Sequence, residues 1–196
     1  MHKLISLLAL TLHVLADVPS EEERRTLEEC HWKLRESVDP PASNMHLIKY
    51  SMKMEKLAEE LFTYCLSVYT ASGRNRYQHI GGVVMVARDG KPRFTDLCNV
   101  NSTDFKSSKD RCDDDCHNYR QMVYGPSTDF GCFIGVCQYP EPVQVLLCAY
   151  KPGKREFFSR PYELGPSCSK CPAGYGCYRK QCYIDSLTDE QTTEAK

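Results

Sequence analysis

Twelve cysteines, spread from Cys30 to Cys182, constrain this chain more than any other feature. Cytosolic proteins seldom carry so many, because their compartment keeps thiols reduced. An even set of this size points to an oxidising compartment, and all of the cysteines are expected to pair. The first residues agree. His2 and Lys3 precede a mostly apolar run from Leu4 to Leu15, and Val14 and Ala16 stand at the −3 and −1 positions of a small-residue cleavage site before Asp17. That is the pattern of a secretory signal peptide over residues 1–16. The run is too short to cross a bilayer core of roughly 30 Å. No later segment reaches transmembrane length, so the expected product is secreted and extracellular.

Charge excludes two classes of partner. Lys and Arg number 25 against 26 Asp and Glu, so neither a basic surface for nucleic acid nor an acidic solvating tail is indicated. Hydrophobic residues make up 41% of the chain, enough for a packed core.

Ser20-Glu21-Glu22-Glu23 reads as a capping box, followed by Leu27, Cys30, His31, Leu34 and Val38 at helical spacing. Pro40 and Pro41 end that helix. Ser51 opens a second helix, whose stripe runs through Met54, Leu57, Ala58, Leu61, Phe62, Cys65, Leu66 and Tyr69 until Gly73. Ile80 to Ala87 fits either a strand or a packed loop, and the polar stretch Asn99 to Asp115 reads as surface loop. Within that stretch lies Asn101-Ser102-Thr103, a glycosylation sequon usable on a secreted chain. Tyr119–Tyr124, Phe130–Tyr139 and Val143–Tyr150 read as three strands joined by tight turns, an antiparallel meander. Helices first and a meander later give an α+β layout. Past Pro152 the composition becomes loop-rich, and Cys168, Cys171, Cys177 and Cys182 must hold that piece by cross-links. Asp185 to Lys196 is polar and is expected to be a disordered tail.

No motif for catalysis emerges. The last four cysteines have a superficial zinc spacing, but behind a signal peptide they read as two disulfides. Cys112-Asp113-Asp114-Asp115-Cys116 lacks the alternating ligands of a calcium loop. No nucleophile elbow, His-Glu-x-x-His helix or phosphate loop is present. His31 lies on the apolar stripe and reads as a satisfied core histidine, whereas His117 reads as exposed.

Several segments together resemble the CAP superfamily of cysteine-rich secretory proteins, insect antigen 5 and plant pathogenesis-related 1 proteins. They are His31-Trp32-Lys33-Leu34-Arg35 with Pro40-Pro41-Ala42-Ser43-Asn44-Met45, the amphipathic helix ending near Cys65, Cys116-His117-Asn118-Tyr119-Arg120-Gln121-Met122-Val123-Tyr124, Gly131-Cys132, Cys137, and Leu147-Cys148-Ala149-Tyr150. Arg160-Pro161-Tyr162 with Cys168-Ser169-Lys170-Cys171-Pro172 resembles the hinge that follows the domain in many members. Secreted helminth venom-allergen-like proteins are the nearest in flavour. The resemblance implies an α-β-α sandwich with an antiparallel sheet between helices, over residues 17–152. A cysteine-rich hinge at 153–183 and a tail at 184–196 follow. It also implies the pairs Cys65–Cys137, Cys132–Cys148, Cys168–Cys177 and Cys171–Cys182, leaving Cys30, Cys98, Cys112 and Cys116 open.

The family's cavity carries two histidines and two glutamates able to hold a divalent cation. Here the matching positions are Tyr69, Gly82 and Asn118, and the fourth falls near Asp96 or Leu97. A neutral phenol, a glycine and an amide cannot replace those ligands, so no metal and no other cofactor is expected. The resemblance further implies fatty-acid or sterol binding, for which Leu61, Phe62, Leu66 and Tyr69 are the candidate groove residues. The reading is a non-enzymatic, host- or immune-interacting binding protein with an extracellular partner. Its alternatives are a hydrolase with a rearranged cavity, and a channel- or receptor-binding module in the C-terminal cysteine-rich segment.

Overall fold

Ser20 begins the first helix by reciprocal capping. Its hydroxyl accepts the Glu23 N–H at 3.2 Å, and the Glu23 carboxylate accepts the Ser20 N–H at 2.8 Å. The computed structural model describes residues 17–63, 77–87, 90–103, 105–106, 111–112, 116–138, 141–153 and 159–184. Helix α1 spans Glu21–Glu36 and buries Leu27, His31 and Arg35, one residue per turn along a single stripe. Strand β1 (Lys49–Tyr50) leads into α2 (Met52–Phe62), which Ser51 caps by accepting the Met54 N–H at 3.4 Å. Strand β2 (Gly81–Val86), a 3-10 turn (Phe94–Asn99), a pair β3 (Phe105–Lys106) and β4 (Arg111–Cys112), and helix α3 (His117–Met122) follow. Long strands β5 (Asp129–Cys137) and β6 (Val143–Lys151) precede a small hairpin, β7 (Gly176–Tyr178) and β8 (Gln181–Tyr183).

The main sheet runs β1-β5-β6-β2. Along that order β5, β6 and β2 pair antiparallel, and β1 pairs parallel to β5 at one edge. Alternation along β5 assigns the two faces. Phe130, Cys132 and Ile134 join Leu27 of α1 and Met122 of α3 in one core, while Phe133 joins Ala58 and Leu61 of α2 in another. The sheet is therefore sandwiched between helices. On the α2 face, β5 places Gly131, where a Cβ would come within 2.0 Å of the Glu55 backbone nitrogen. A glycine there lets the helix axis lie close to the sheet.

Three expectations are corrected. Tyr119–Tyr124 does not form a strand: His117–Met122 is helical. Tyr119, Arg120, Gln121 and Met122 are all buried, so no apolar period marks the segment as a helix, and its tyrosines and valine favour strands. The third strand of the antiparallel set is instead β2, which resolves the ambiguous Ile80–Ala87 run. The Asn99–Asp115 stretch contains β3 paired with β4, and Phe105 is buried beside Tyr119 with ring centroids 5.5 Å apart. The part of the second helix expected beyond Thr63 lies outside the described residues, as do residues 1–16 and 185–196, where a leader and a tail are expected.

Disulfides join Cys30 to Cys98, Cys132 to Cys148, Cys168 to Cys177 and Cys171 to Cys182. The first ties α1 to the 3-10 turn, and the second links directly opposed residues of β5 and β6. Cys137 is buried at the end of β5, and its expected partner Cys65 lies outside the described residues. The cysteine-rich piece is docked on the body. The Cys182 N–H donates to the Met45 carbonyl at 2.6 Å, and the Leu47 N–H to the Cys182 carbonyl at 2.8 Å. Arg179, in the β7–β8 turn at φ 50°, ion-pairs with Glu29 at 2.7 Å and Glu36 at 2.5 Å on α1, and its guanidinium lies over the Trp32 ring.

Candidate functional site

Of the positions matched to a cation cavity, Gly82, Asn118 and the Asp96–Leu97 pair are described. Asp96 accepts the Arg93 N–H at 2.8 Å and ion-pairs with its guanidinium at 3.1 Å, and Leu97 is buried in the core. Gly82 sits in β2 opposite Ala149 and offers no ligand atom. Asn118 projects from α3 onto the free edge of β2. Its Oδ1 accepts the Val84 N–H at 3.2 Å, and its Nδ2 donates to the Val84 carbonyl at 3.0 Å. The carboxamide thus imitates one residue of a neighbouring strand and satisfies a peptide group that an edge strand leaves unpaired. Next to it, a Cβ at Gly81 would fall 1.9 Å from the Gln121 Oε1 and 2.8 Å from the Gly153 Cα, so side chain and backbone fill that corner. Tyr69 lies outside the described residues. Among the described residues no three His, Cys, Asp or Glu side chains converge. His117, one residue before Asn118, is exposed. The donor set that is described does not fit a divalent cation.

The buried ionisable groups are tied into structural bonds. His31 is fully buried, its Nδ1 2.7 Å from the Leu27 carbonyl and its Nε2 2.8 Å from the Tyr150 hydroxyl. A carbonyl only accepts, so Nδ1 carries the proton and Nε2 accepts from Tyr150. Burial pushes the imidazole down to about 3, and the positive charge of Arg35 adds to the shift. Burial raises the Tyr150 phenol. Arg35 is 1% exposed and donates to five carbonyls: Met122 at 2.8 Å and Tyr124 at 3.1 Å from Nη1, and His46 at 2.8 Å, Gly125 at 3.1 Å and Ser127 at 3.2 Å from Nη2. Burial lowers its guanidinium to about 9, which leaves it charged at neutral pH. Glu55, at the start of α2, takes a bidentate pair from Arg24 with both bonds at 2.9 Å and the Tyr50 hydroxyl at 2.6 Å. Burial, then the Glu55 hydrogen bond, raises the Tyr50 phenol. Sequence reading missed Arg35 and Glu55. The available signal for Arg35 was its place four residues after His31 and eight after Leu27.

Of the candidate groove residues, Leu61 packs in the core against Ala58, Phe133 and Leu147, whereas Phe62 is half-buried with its ring 5.2 Å from that of Phe133. Leu66 and Tyr69 lie outside the described residues. Among the described residues, one surface cavity of about 270 Å³ lies beside Asp17, Lys91 and Phe94, and another of about 300 Å³ lies beside His46, Tyr175 and Tyr183. Neither is lined by Gly82 or Asn118.

Residues 28–150 match the family model described as CAP, the cysteine-rich secretory protein family. The chain belongs to the CAP family. Members of this family are secreted and are generally binding proteins, and the disulfides of this CAP protein fit an extracellular location. Among the described residues, no helix is long and apolar enough to cross a membrane. Peptidase inhibitor 16 of Mus musculus is 25% identical over 170 residues, which cover 83% of this chain and 34% of the mouse protein. The CAP chain thus spans about a third of the length of such curated relatives. Among solved structures, NaASP2 with Zn2+ superposes with a TM-score of 0.63 at 22% identity, over 85% of this chain and all of that one (100%). Venom allergen-like protein 4 of Schistosoma mansoni superposes with a TM-score of 0.53 at 24% identity, over 78% of this chain and 100% of that one. These neighbours are helminth venom-allergen-like proteins, and the likeness is one of fold.

Proposed function

We propose that this CAP protein is a secreted, non-enzymatic binding protein of the venom-allergen-like kind, acting through its surface on an extracellular host or immune partner. The observation that carries the reading is the Asn118 clasp on Val84. A family position that would present an imidazole to a cation here closes a sheet edge, and Gly82 adds no donor. The hydrolase reading loses support for the same reason. Glu55, a buried carboxylate able to act as an acid or base, already has both oxygens engaged. The independent-module reading of the C-terminus loses support from the backbone bonds and ion pairs that dock β8 and Arg179 on the body.

Calorimetric titration with zinc and with magnesium tests the reading. Neither metal is expected to bind stoichiometrically in the micromolar range, and no metal-dependent ester or peptide turnover is expected. A saturable one-to-one zinc site that survives Asn118→Ala would show that other residues hold a cation, and would sink the degenerate-cavity account.

Lipid carriage is the finer part of the proposal. Leu61 faces the sheet, so a fatty chain would be met by Phe62 and by Leu66 and Tyr69 further along. Each buried methylene contributes about 0.8 kcal/mol, so partial burial of an acyl chain suffices for useful affinity. Leu66→Asp and Tyr69→Asp are expected to lower binding of a fluorescent fatty acid while circular dichroism stays native. Unchanged binding in both folded variants would place the lipid elsewhere, and a parent protein that binds no fatty acid would remove lipid carriage from the proposal.

A further inference from the structure

The sequon left aside by the binding reading has a specific local geometry. Asn101, Ser102 and Thr103 are all exposed, just after the 3-10 turn that the Cys30–Cys98 disulfide pins to α1. The Asn101 Oδ1 accepts two bonds from the same residue: the Thr103 N–H at 2.9 Å, and the Thr103 hydroxyl in a close contact. The Asn101 Nδ2 donates one hydrogen to the Asn99 carbonyl at 3.2 Å. The carboxamide is therefore held by its oxygen in an Asx turn.

We infer that Asn101 carries an N-linked glycan in the secreted protein. This rests on the secretory reading, because the donor sugar is met only on that route. The chemistry balances as a simple displacement. Nδ2 of Asn101 forms a bond to the anomeric carbon of an oligosaccharide. The bond from that carbon to the diphosphate of its polyprenyl carrier breaks, and the carrier diphosphate leaves with the electron pair of that bond and takes up the one proton that Nδ2 gives up. The two donors on Oδ1 stabilise the negative charge that gathers there as Nδ2 loses its proton. A hydroxyl at the third sequon position is thus needed both for the motif and for this bond. The flanking surface is polar, with Asn99 and Ser102 exposed beside Asn101, so the folded domain accommodates a glycan without displacing a packed side chain. A bulky, hydrated group there also removes the adjoining face from protein contact. A protein partner would then have to approach from another side.

The test is mass spectrometry of the full chain secreted from a eukaryotic host, before and after enzymatic release of N-glycans. Release is expected to lower the mass and to leave aspartate at position 101 in the tryptic peptide. Asn101→Gln and Thr103→Ala should each abolish the shift, whereas Ser102→Ala should retain it. A secreted chain that begins at Asp17 yet carries unmodified Asn101 would overturn the proposal and leave the secretory reading intact. A chain retained in the cell with its leader attached would remove both. Retention of the glycan in Thr103→Ala would overturn the role given to the hydroxyl.

Discussion

Arg35→Ala is expected to lower stability by about 3–5 kcal/mol, because buried carbonyls lose a charged donor and a large side chain leaves a cavity. Domains of this kind are stable by only about 5–15 kcal/mol, so the variant should be marginally folded and poorly secreted. The reason lies in where the guanidinium sits. It is fully buried, and its two terminal nitrogens bind five carbonyls from the end of α3, the turn after it and the strand entry at His46. Those carbonyls belong to a helix end and to irregular backbone outside the sheet ladders. Alanine would take the buried donor from all five at once and leave a cavity the size of the lost side chain. Arg35→Lys is expected to fail as well, though less severely. A single ammonium has three donors on one atom and cannot reproduce a planar fork that reaches both groups of carbonyls. Urea denaturation followed by circular dichroism measures both variants against Lys33→Ala, a control on the exposed side of the same helix. If the Arg35→Ala midpoint moved no further than that of Lys33→Ala, the carbonyl cage would have no energetic weight.

The same residue shows what sequence reading reaches and what it does not. The capping box at Ser20, the stripe of Leu27 and His31, the amphipathic start of α2, and the apolar runs of β5 and β6 are local signals, and each produces the element it describes. The family match follows from motifs distributed along the chain. Arg35 is different, because a charged side chain on a helix defaults to solvent, and its acceptors lie as far as 92 residues away. Asn118 is half legible. The resemblance marks it as a missing ligand, but its replacement role depends on Val84, 34 residues earlier in the chain. Helix α3 was hidden for a third reason: a short helix whose last four residues are all buried has no amphipathic period, and its tyrosine favours a strand by propensity. The pairing of Cys30 with Cys98 required knowing that the 3-10 turn lies against α1.

Acidification is expected to destabilise the protein through His31. The unfolded chain takes up a proton at this residue near its ordinary value of 6.5, whereas the folded imidazole stays neutral down to about 3. Between those two values the unfolded state binds more protons, so stability falls as pH falls through that window and is unaffected by this group above it. Each pH unit corresponds to about 1.4 kcal/mol, giving a loss on the order of 4 kcal/mol across the window. The structural cause is specific. Nε2 accepts the Tyr150 hydroxyl hydrogen bond, and protonating it would set a donor against a phenol that cannot readily give up its own proton. Arg35, one turn further along α1, adds a like charge. His31→Gln separates this contribution from that of the surface carboxylates. Its amide nitrogen can still donate to the Leu27 carbonyl and its oxygen can still accept from Tyr150, but it does not titrate. The variant should start with a lower stability at pH 7, through imperfect fit, and then show a shallower decline from pH 6 to pH 4 than the parent. Denaturation midpoints measured at half-unit intervals report the two slopes. Parallel acid limbs for parent and His31→Gln would assign the acid sensitivity to other groups and remove His31 from the account.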